Sequence, residues 1–143
     1  MPSFLKDLNA ISRGTTLFRD ERLRSYGLTG CQVKYMFAVC REEGVSQDEL
    51  AKSLFVNKSN VARQMSALEE AGYVRREQSA EDKRVYKLYP TQKAMELLPV
   101  IRAVNDEWRA IICQGVSEED AAQLTAVLSR LVENVRRYEE ARG

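Results

Sequence analysis

Histidine is absent from this 143-residue chain, which removes at once the commonest general base and the commonest transition-metal ligand. Cysteine is scarce. Cys31, Cys40 and Cys113 are an odd number without CxxC spacing, which suits neither a disulfide framework nor a zinc site. Cys31 and Cys40 share a stretch with Val33, Met36 and Phe37, so they are expected to be buried small hydrophobes, with an oxidation switch as the sharper alternative. Only scattered carboxylates and cysteines remain for chemistry, so the chain is read as no enzyme, with no cofactor and no metal. Long apolar runs are missing too, and the start, MPSFLKDLNAISRG, lacks the apolar core of a secretory leader. The expectation is a soluble, cytoplasmic protein with no membrane partner. Neither charge dominates: 22 Lys plus Arg stand against 21 Asp plus Glu. Any positive field for a polyanion must therefore be local.

What is present begins at Val45. Ser46 followed by Glu49 is a capping box, so a helix starts there, with Leu50, Ala51 and Leu54 on one face and Phe55 and Val56 closing it. Asn57 caps a second helix, because its side-chain oxygen accepts an amide of the first turn; Gly72 ends it. Val61, Met65 and Leu68 form the inward stripe of that helix at i, i+4, i+7. Ser59, Asn60, Arg63, Ser66 and Ala67 then face outward, with Lys58 and Gln64 on the flanks. The outward face carries no acid until Glu69 and Glu70. Small residues allow close approach, and Asn, Gln, Ser or Arg suit base edges in a major groove.

Tyr73–Gln78 and Arg84–Tyr89 read as two strands of a hairpin wing, joined by Ser79, Ala80, Glu81, Asp82 and Lys83, which are too polar for a core. Arg75, Arg76, Lys83, Arg84 and Lys87 cluster on it. An arginine at the hairpin tip has the reach and charge for a narrow minor groove. Asp82 is expected to pair with Arg84 and hold its guanidinium in one orientation, which lowers the entropy lost on binding. Pro90 cannot donate to a sheet ladder, so the second wing strand must be an edge or must end there.

With these residues in place the chain resembles the MarR family of winged helix-turn-helix transcriptional regulators. The resemblance is carried by Leu28-Thr29-x-x-Gln32, Ser46-Gln47-x-Glu49-Leu50-Ala51, Val56-Asn57-Lys58-Ser59-Asn60-Val61-x-Arg63, Leu68-Glu69-x-x-Gly72-Tyr73-Val74-x-Arg76 and, most specifically, Asp82-x-Arg84. The chain departs from the family's usual wing exit, a Leu-Thr pair and then a Gly, with Pro90-Thr91 and Ala94. The fold class expected is mainly α with a small β-hairpin wing. Within a single domain over 1–143, residues 28–90 would form a winged helix-turn-helix DNA-binding lobe, and 3–27 with 91–141 a helical dimerisation lobe from both termini.

The terminal segments carry their own pattern. Phe4, Leu8, Ile11, Thr15 and Phe18 make residues 3 to about 25 an amphipathic helix. Thr29 with Gln32 caps the next, which runs to about Glu43. A helix from Thr91 to about Gln114 contains Pro99, which should kink it or split off its first turns. Ser117 caps a last helix lined by Ala121, Leu124, Leu128, Leu131, Val132, Val135 and Tyr138. This is more apolar stripe than a small winged-helix lobe can cover, so a homodimer is expected to bury the surplus.

The partners expected are therefore double-stranded DNA and a second copy of the chain. Lys58, Ser59, Asn60, Arg63, Gln64, Arg75, Arg76, Asp82, Lys83, Arg84 and Lys87 are the candidate DNA-site residues, with Asn60 and Arg63 foremost for base edges. The resemblance also implies a small aromatic or anionic effector, with Arg13, Phe18, Tyr35, Met36 and Trp108 as candidate lining residues. The rival readings are a winged-helix module that binds protein and a DNA binder without an effector.

Overall fold

The Ser46 hydroxyl accepts the Glu49 amide at 3.0 Å, and the Glu49 carboxylate accepts the Ser46 amide at 3.4 Å. Two orphan donors of a helix start are thereby satisfied together. The helix they open is one of six in the computed structural model, which describes residues 3–143. In chain order these are α1 (Leu5–Leu23), α2 (Val33–Arg41), α3 (Gln47–Leu54), α4 (Lys58–Glu70), α5 (Gln92–Ile112) and α6 (Glu118–Arg142). Three strands accompany them: β1 (Val45–Ser46), β2 (Val74–Gln78) and β3 (Tyr86–Pro90). The fold is mainly α with a small antiparallel sheet, as the sequence predicts.

One compact unit runs to Asp106 and a second spans Glu107–Gly143. In the first, α3 and α4 form the helix-turn-helix. Phe55 makes the turn between them in the left-handed region, at φ 57°, a conformation that costs a side-chain-bearing residue on the order of 1 kcal/mol. The turn is held by the Val56 amide donating to the Ala51 carbonyl at 3.0 Å. Asn57 caps α4 through Oδ1, which accepts the Asn60 amide at 2.7 Å. Val61, Met65 and Leu68 are fully buried, packed with Leu50 and Ala51 of α3, Val33, Tyr35, Met36 and Val39 of α2, and Leu97, Leu98 and Ile101 of α5.

The wing differs from expectation in three respects. β2 and β3 pair antiparallel with Val74 opposite Pro90 and Gln78 opposite Tyr86, so the second strand begins two residues later than predicted and includes Pro90. β3 is the central strand, with β1 on its other side; the two-residue β1 was not anticipated because it lies directly against a helix cap. Pro90 is tolerated as the last ladder residue, where the missing N–H matters least. Ser79, expected to be too polar for the interior, is buried. Its amide donates to the Val85 carbonyl at 2.8 Å and its hydroxyl accepts the Glu81 amide at 3.2 Å, so burial leaves neither group unsatisfied.

The segment before α2 also departs. Thr29 forms its capping box with Gln32, but the first turn is a 3-10 turn over Gly30–Gln32 and the α-helix starts at Val33. That tighter turn changes the phase of Cys31, which is exposed rather than buried. Gly30 is where this turn meets α1: a Cβ there would lie 2.3 Å from the Thr16 carbonyl oxygen, and its amide donates to Asp20 at 2.5 Å. Pro99 splits nothing off α5, which runs unbroken through it. Leu98 and Ile101 beside it are buried while Pro99 itself is exposed, so core packing holds the helix across the missing donor.

In the second unit Gly115 takes a positive φ of 78° after α5, and the Ser117 hydroxyl accepts the Asp120 amide at 3.0 Å to start α6. No residue of α6 is buried. Leu124, Val127, Val132, Val135 and Tyr138 are all more than two-fifths exposed.

Candidate nucleic-acid interface

The outward face of α4 exists because its inward stripe is anchored. With Val61, Met65 and Leu68 in the core, Ser59, Arg63, Ser66 and Ala67 stand exposed, and Asn60 and Gln64 lie half-buried at the edges. Asn60 Nδ2 donates to Tyr35 Oη at 3.3 Å, and Asn60 Oδ1 accepts from the Arg63 guanidinium at 3.3 Å. Gln64 Oε1 accepts from Gln32 Nε2 at 3.3 Å, while Gln32 Oε1 accepts the Thr29 amide at 3.0 Å. Ser59 donates to the Asn57 cap at 2.8 Å. Lys58 lies 3.5 Å from the Asp48 carboxylate, with both side chains largely in solvent.

The wing carries its cations in two different states. Arg84 is fully presented: its side chain is 91% exposed, yet its amide, Nε and Nη2 all donate to Asp82, at 3.0, 3.1 and 3.2 Å. The side-chain bonds first, and the backbone bond second, hold the Asp82 carboxyl below its ordinary value. Lys83 and Lys87 are also exposed. Arg76 is spent differently. Its Nε and Nη2 donate to Glu69 at 3.3 and 3.1 Å, its amide to the same carboxylate at 3.3 Å, and its Nη1 to Gln47 at 3.4 Å. It therefore ties the wing to the last turn of α4 and the first of α3. Arg75 pairs with Glu77 and lies 4.7 Å over the Tyr89 ring. The sequence put both arginines among the candidate DNA-site residues; Glu77, two residues on along the same strand, and Glu69 at the end of α4 engage them instead.

Of the residues expected to line an effector site, Phe18 packs against the core cluster that holds Tyr35 and Met36. Tyr35 and Met36 are packed in the core, each 1% exposed, and Tyr35 is engaged with Asn60. Burial first, and the neighbouring Cys31 second, push the Tyr35 phenol up, so it stays neutral. Arg13 is exposed on α1, and Phe18 is half-buried beneath the Arg22 guanidinium at 4.5 Å. Trp108 belongs to the other unit. Burial, reinforced by Glu43, also pushes the Cys40 thiol up, which disfavours the thiolate an oxidation switch requires. Sequence reasoning missed the supports: it read Gln32 as a cap for the helix after Thr29, but not its contact with Gln64, nor the contacts of Gln47 and Glu69 with Arg76.

A recognition helix braced from behind, beside a hairpin with a presented arginine at its tip, defines a winged helix-turn-helix protein. The family model of the MarR family matches residues 26–85. Among solved structures, one described as MarR superposes with a TM-score of 0.90 at 32% identity, covering 99% of this chain and 95% of that one. A Listeria monocytogenes protein described as a MarR-family transcriptional regulator, complexed with a 26mer DNA, gives 0.88 at 25% identity over 97% and 93% of the two chains. The HTH-type transcriptional regulator YybA of Bacillus subtilis (strain 168) is 24% identical over 96% of this chain and 91% of its own length. The chain belongs to the MarR family of transcriptional regulators.

Proposed function

We propose that the protein is a homodimeric repressor that binds a pseudo-palindromic operator in double-stranded DNA. Residues 28–90 are its DNA lobe, and 3–27 with 91–141 its dimerisation lobe. The observation that carries the reading is Arg84, locked by Asp82 at the wing tip with its guanidinium almost wholly in solvent. A surface ion pair contributes little to stability, so its ordering is better understood as preparation for an anionic partner, where a preordered fork loses less entropy. On the same side of the argument, the solvent face of α4 carries no acid before Glu69. The Listeria relative complexed with a 26mer DNA supports duplex DNA as that partner.

Two α4 helices related by a twofold axis would enter successive major grooves, with each Arg84 in the flanking minor groove. The bare apolar faces of α6 and α1, with Leu124, Val135 and Tyr138 on one and Leu5, Ile11 and Leu17 on the other, support dimerisation, since a monomer seldom exposes so much apolar surface. Repression by occupancy needs nothing further from the chain, and the cytoplasm is where it would act; among the described residues no helix is long and apolar enough to cross a membrane. Release by a small aromatic or anionic effector would act by changing the spacing of the two α4 helices.

Selection of bound sequences from a random duplex pool, with size-exclusion chromatography and light scattering on the same preparation, tests the reading. A twofold-symmetric consensus bound by a dimer is expected. Indifference to duplex DNA at low ionic strength would overturn it, and candidate aromatic acids added to the operator complex separate a sensor from a binder without an effector.

A further inference from the structure

The hydrogen-bond directions on α4 are determined by groups that can act in only one sense. A guanidinium only donates, so the Asn60 atom 3.3 Å from Arg63 must be Oδ1, and Nδ2 is then the atom that donates to Tyr35 Oη. The Thr29 backbone amide likewise only donates, so Gln32 turns Oε1 to it and Nε2 to Gln64, which must answer with Oε1. Both anchors are buried, Tyr35 on α2 and Gln32 in the turn before it. Asn60 thus has one N–H and one oxygen lone pair engaged within the protein, between a buried phenol and the Arg63 guanidinium. Gln64 has one oxygen lone pair engaged by Gln32.

Resting on the DNA-binding reading above, we infer that Arg63, its guanidinium held by Asn60 Oδ1, selects guanine in each half-site. Asn60 is a positioning residue held between Tyr35 and Arg63, not a reader of bases. Adenine shows an acceptor beside a donor in the major groove and is read by an amide with both ends free; guanine shows two acceptors, O6 and N7, which suit a guanidinium. Arg63 is the guanidinium on the exposed face of α4, and the Asn60 amide beside it is anchored on Tyr35.

The full-length protein and its selected operator provide the test. The consensus is expected to hold one guanine per half-site whose replacement by 7-deazaguanine, which lacks N7, weakens binding about tenfold. Replacement by hypoxanthine, which keeps O6 and N7, leaves it unchanged. In Arg63→Ala the deaza and parent operators bind alike. Tyr35→Phe removes only the anchoring hydroxyl, and is expected to cut the preference for guanine over adenine about fivefold in the parent and not at all in Asn60→Ala, as residues acting through one another require. Should Tyr35→Phe fail to fold, Asn60→Ala alone is expected to show the same loss. A symmetric operator with adenine at this position, its recognition abolished by Asn60→Ala, would overturn the inference and leave the DNA-binding reading intact. So would a guanine preference undiminished in Tyr35→Phe and Asn60→Ala. A chain that binds no duplex overturns both.

Discussion

Asp82 accepts three hydrogen bonds from Arg84, one from its amide and two from its guanidinium, while Arg84 keeps 91% of its side chain in solvent. The pair orders a cation without hiding it. Arg84→Ala is expected to weaken operator binding by roughly 1 to 3 kcal/mol, with the melting temperature unchanged, as read by fluorescence anisotropy and thermal denaturation. Asp82→Asn should move affinity in the same direction by less. Parent-like affinity in Arg84→Ala would remove the wing from the interface.

The same pair sets a pH dependence. A depressed carboxyl pKa means that the ordering is fully present above the ordinary aspartate value and is lost as pH falls through the lower, folded-state value. The wing should therefore keep its Asp82–Arg84 bonds from neutrality down through the range where ordinary carboxylates titrate. Carbon-detected NMR of the Asp82 carboxyl should show a midpoint below the ordinary aspartate value. A midpoint at or above that value would show the pair to be absent in solution.

Arg76 and Lys83 should behave oppositely although both are wing cations. Arg76 is committed to Glu69 and Gln47, so Arg76→Ala is expected to lower stability by about 1 to 2 kcal/mol and to leave the salt slope of binding nearly unchanged. Lys83→Ala should leave stability alone and reduce that slope by about 1, the signature of one lost phosphate contact. Titrations at a series of salt concentrations distinguish them, and equal slopes for the two variants would refute the division.

Gly30→Ala should be costly for a reason unrelated to turn conformation. The added methyl would meet the Thr16 carbonyl oxygen at 2.3 Å, forcing the turn before α2 away from α1. A loss of roughly 1 to 3 kcal/mol is expected in urea denaturation. Because the same turn holds Gln32 against Gln64, sequence discrimination should fall with it; a variant as stable as the parent would mean that α1 yields freely.

Legibility followed range along the chain. The capping boxes at Ser46 and Thr29, the Asn57 cap, the buried stripe of α4 and the Asp82–Arg84 pair all join residues two to seven positions apart, and local sterics and hydrogen bonding decide them before any long-range contact forms. They place the helix-turn-helix and the wing tip from the sequence alone. The two-residue β1 was invisible because a strand so short is made only by its partner, Leu88 opposite Val45.

What only the tertiary structure decided is which polar groups on the interface are still free. The sequence shows Asn60 and Gln64 as invitations to nucleic acid and no partner for either. Folding brings Tyr35 to Asn60 and Gln32 to Gln64, from 25 and 32 positions away, and each such bond takes up part of what the amide can offer outside the protein. Side-chain type is local, but the surplus of donors over acceptors at a surface is a property of the packed neighbours, and no linear pattern contains it.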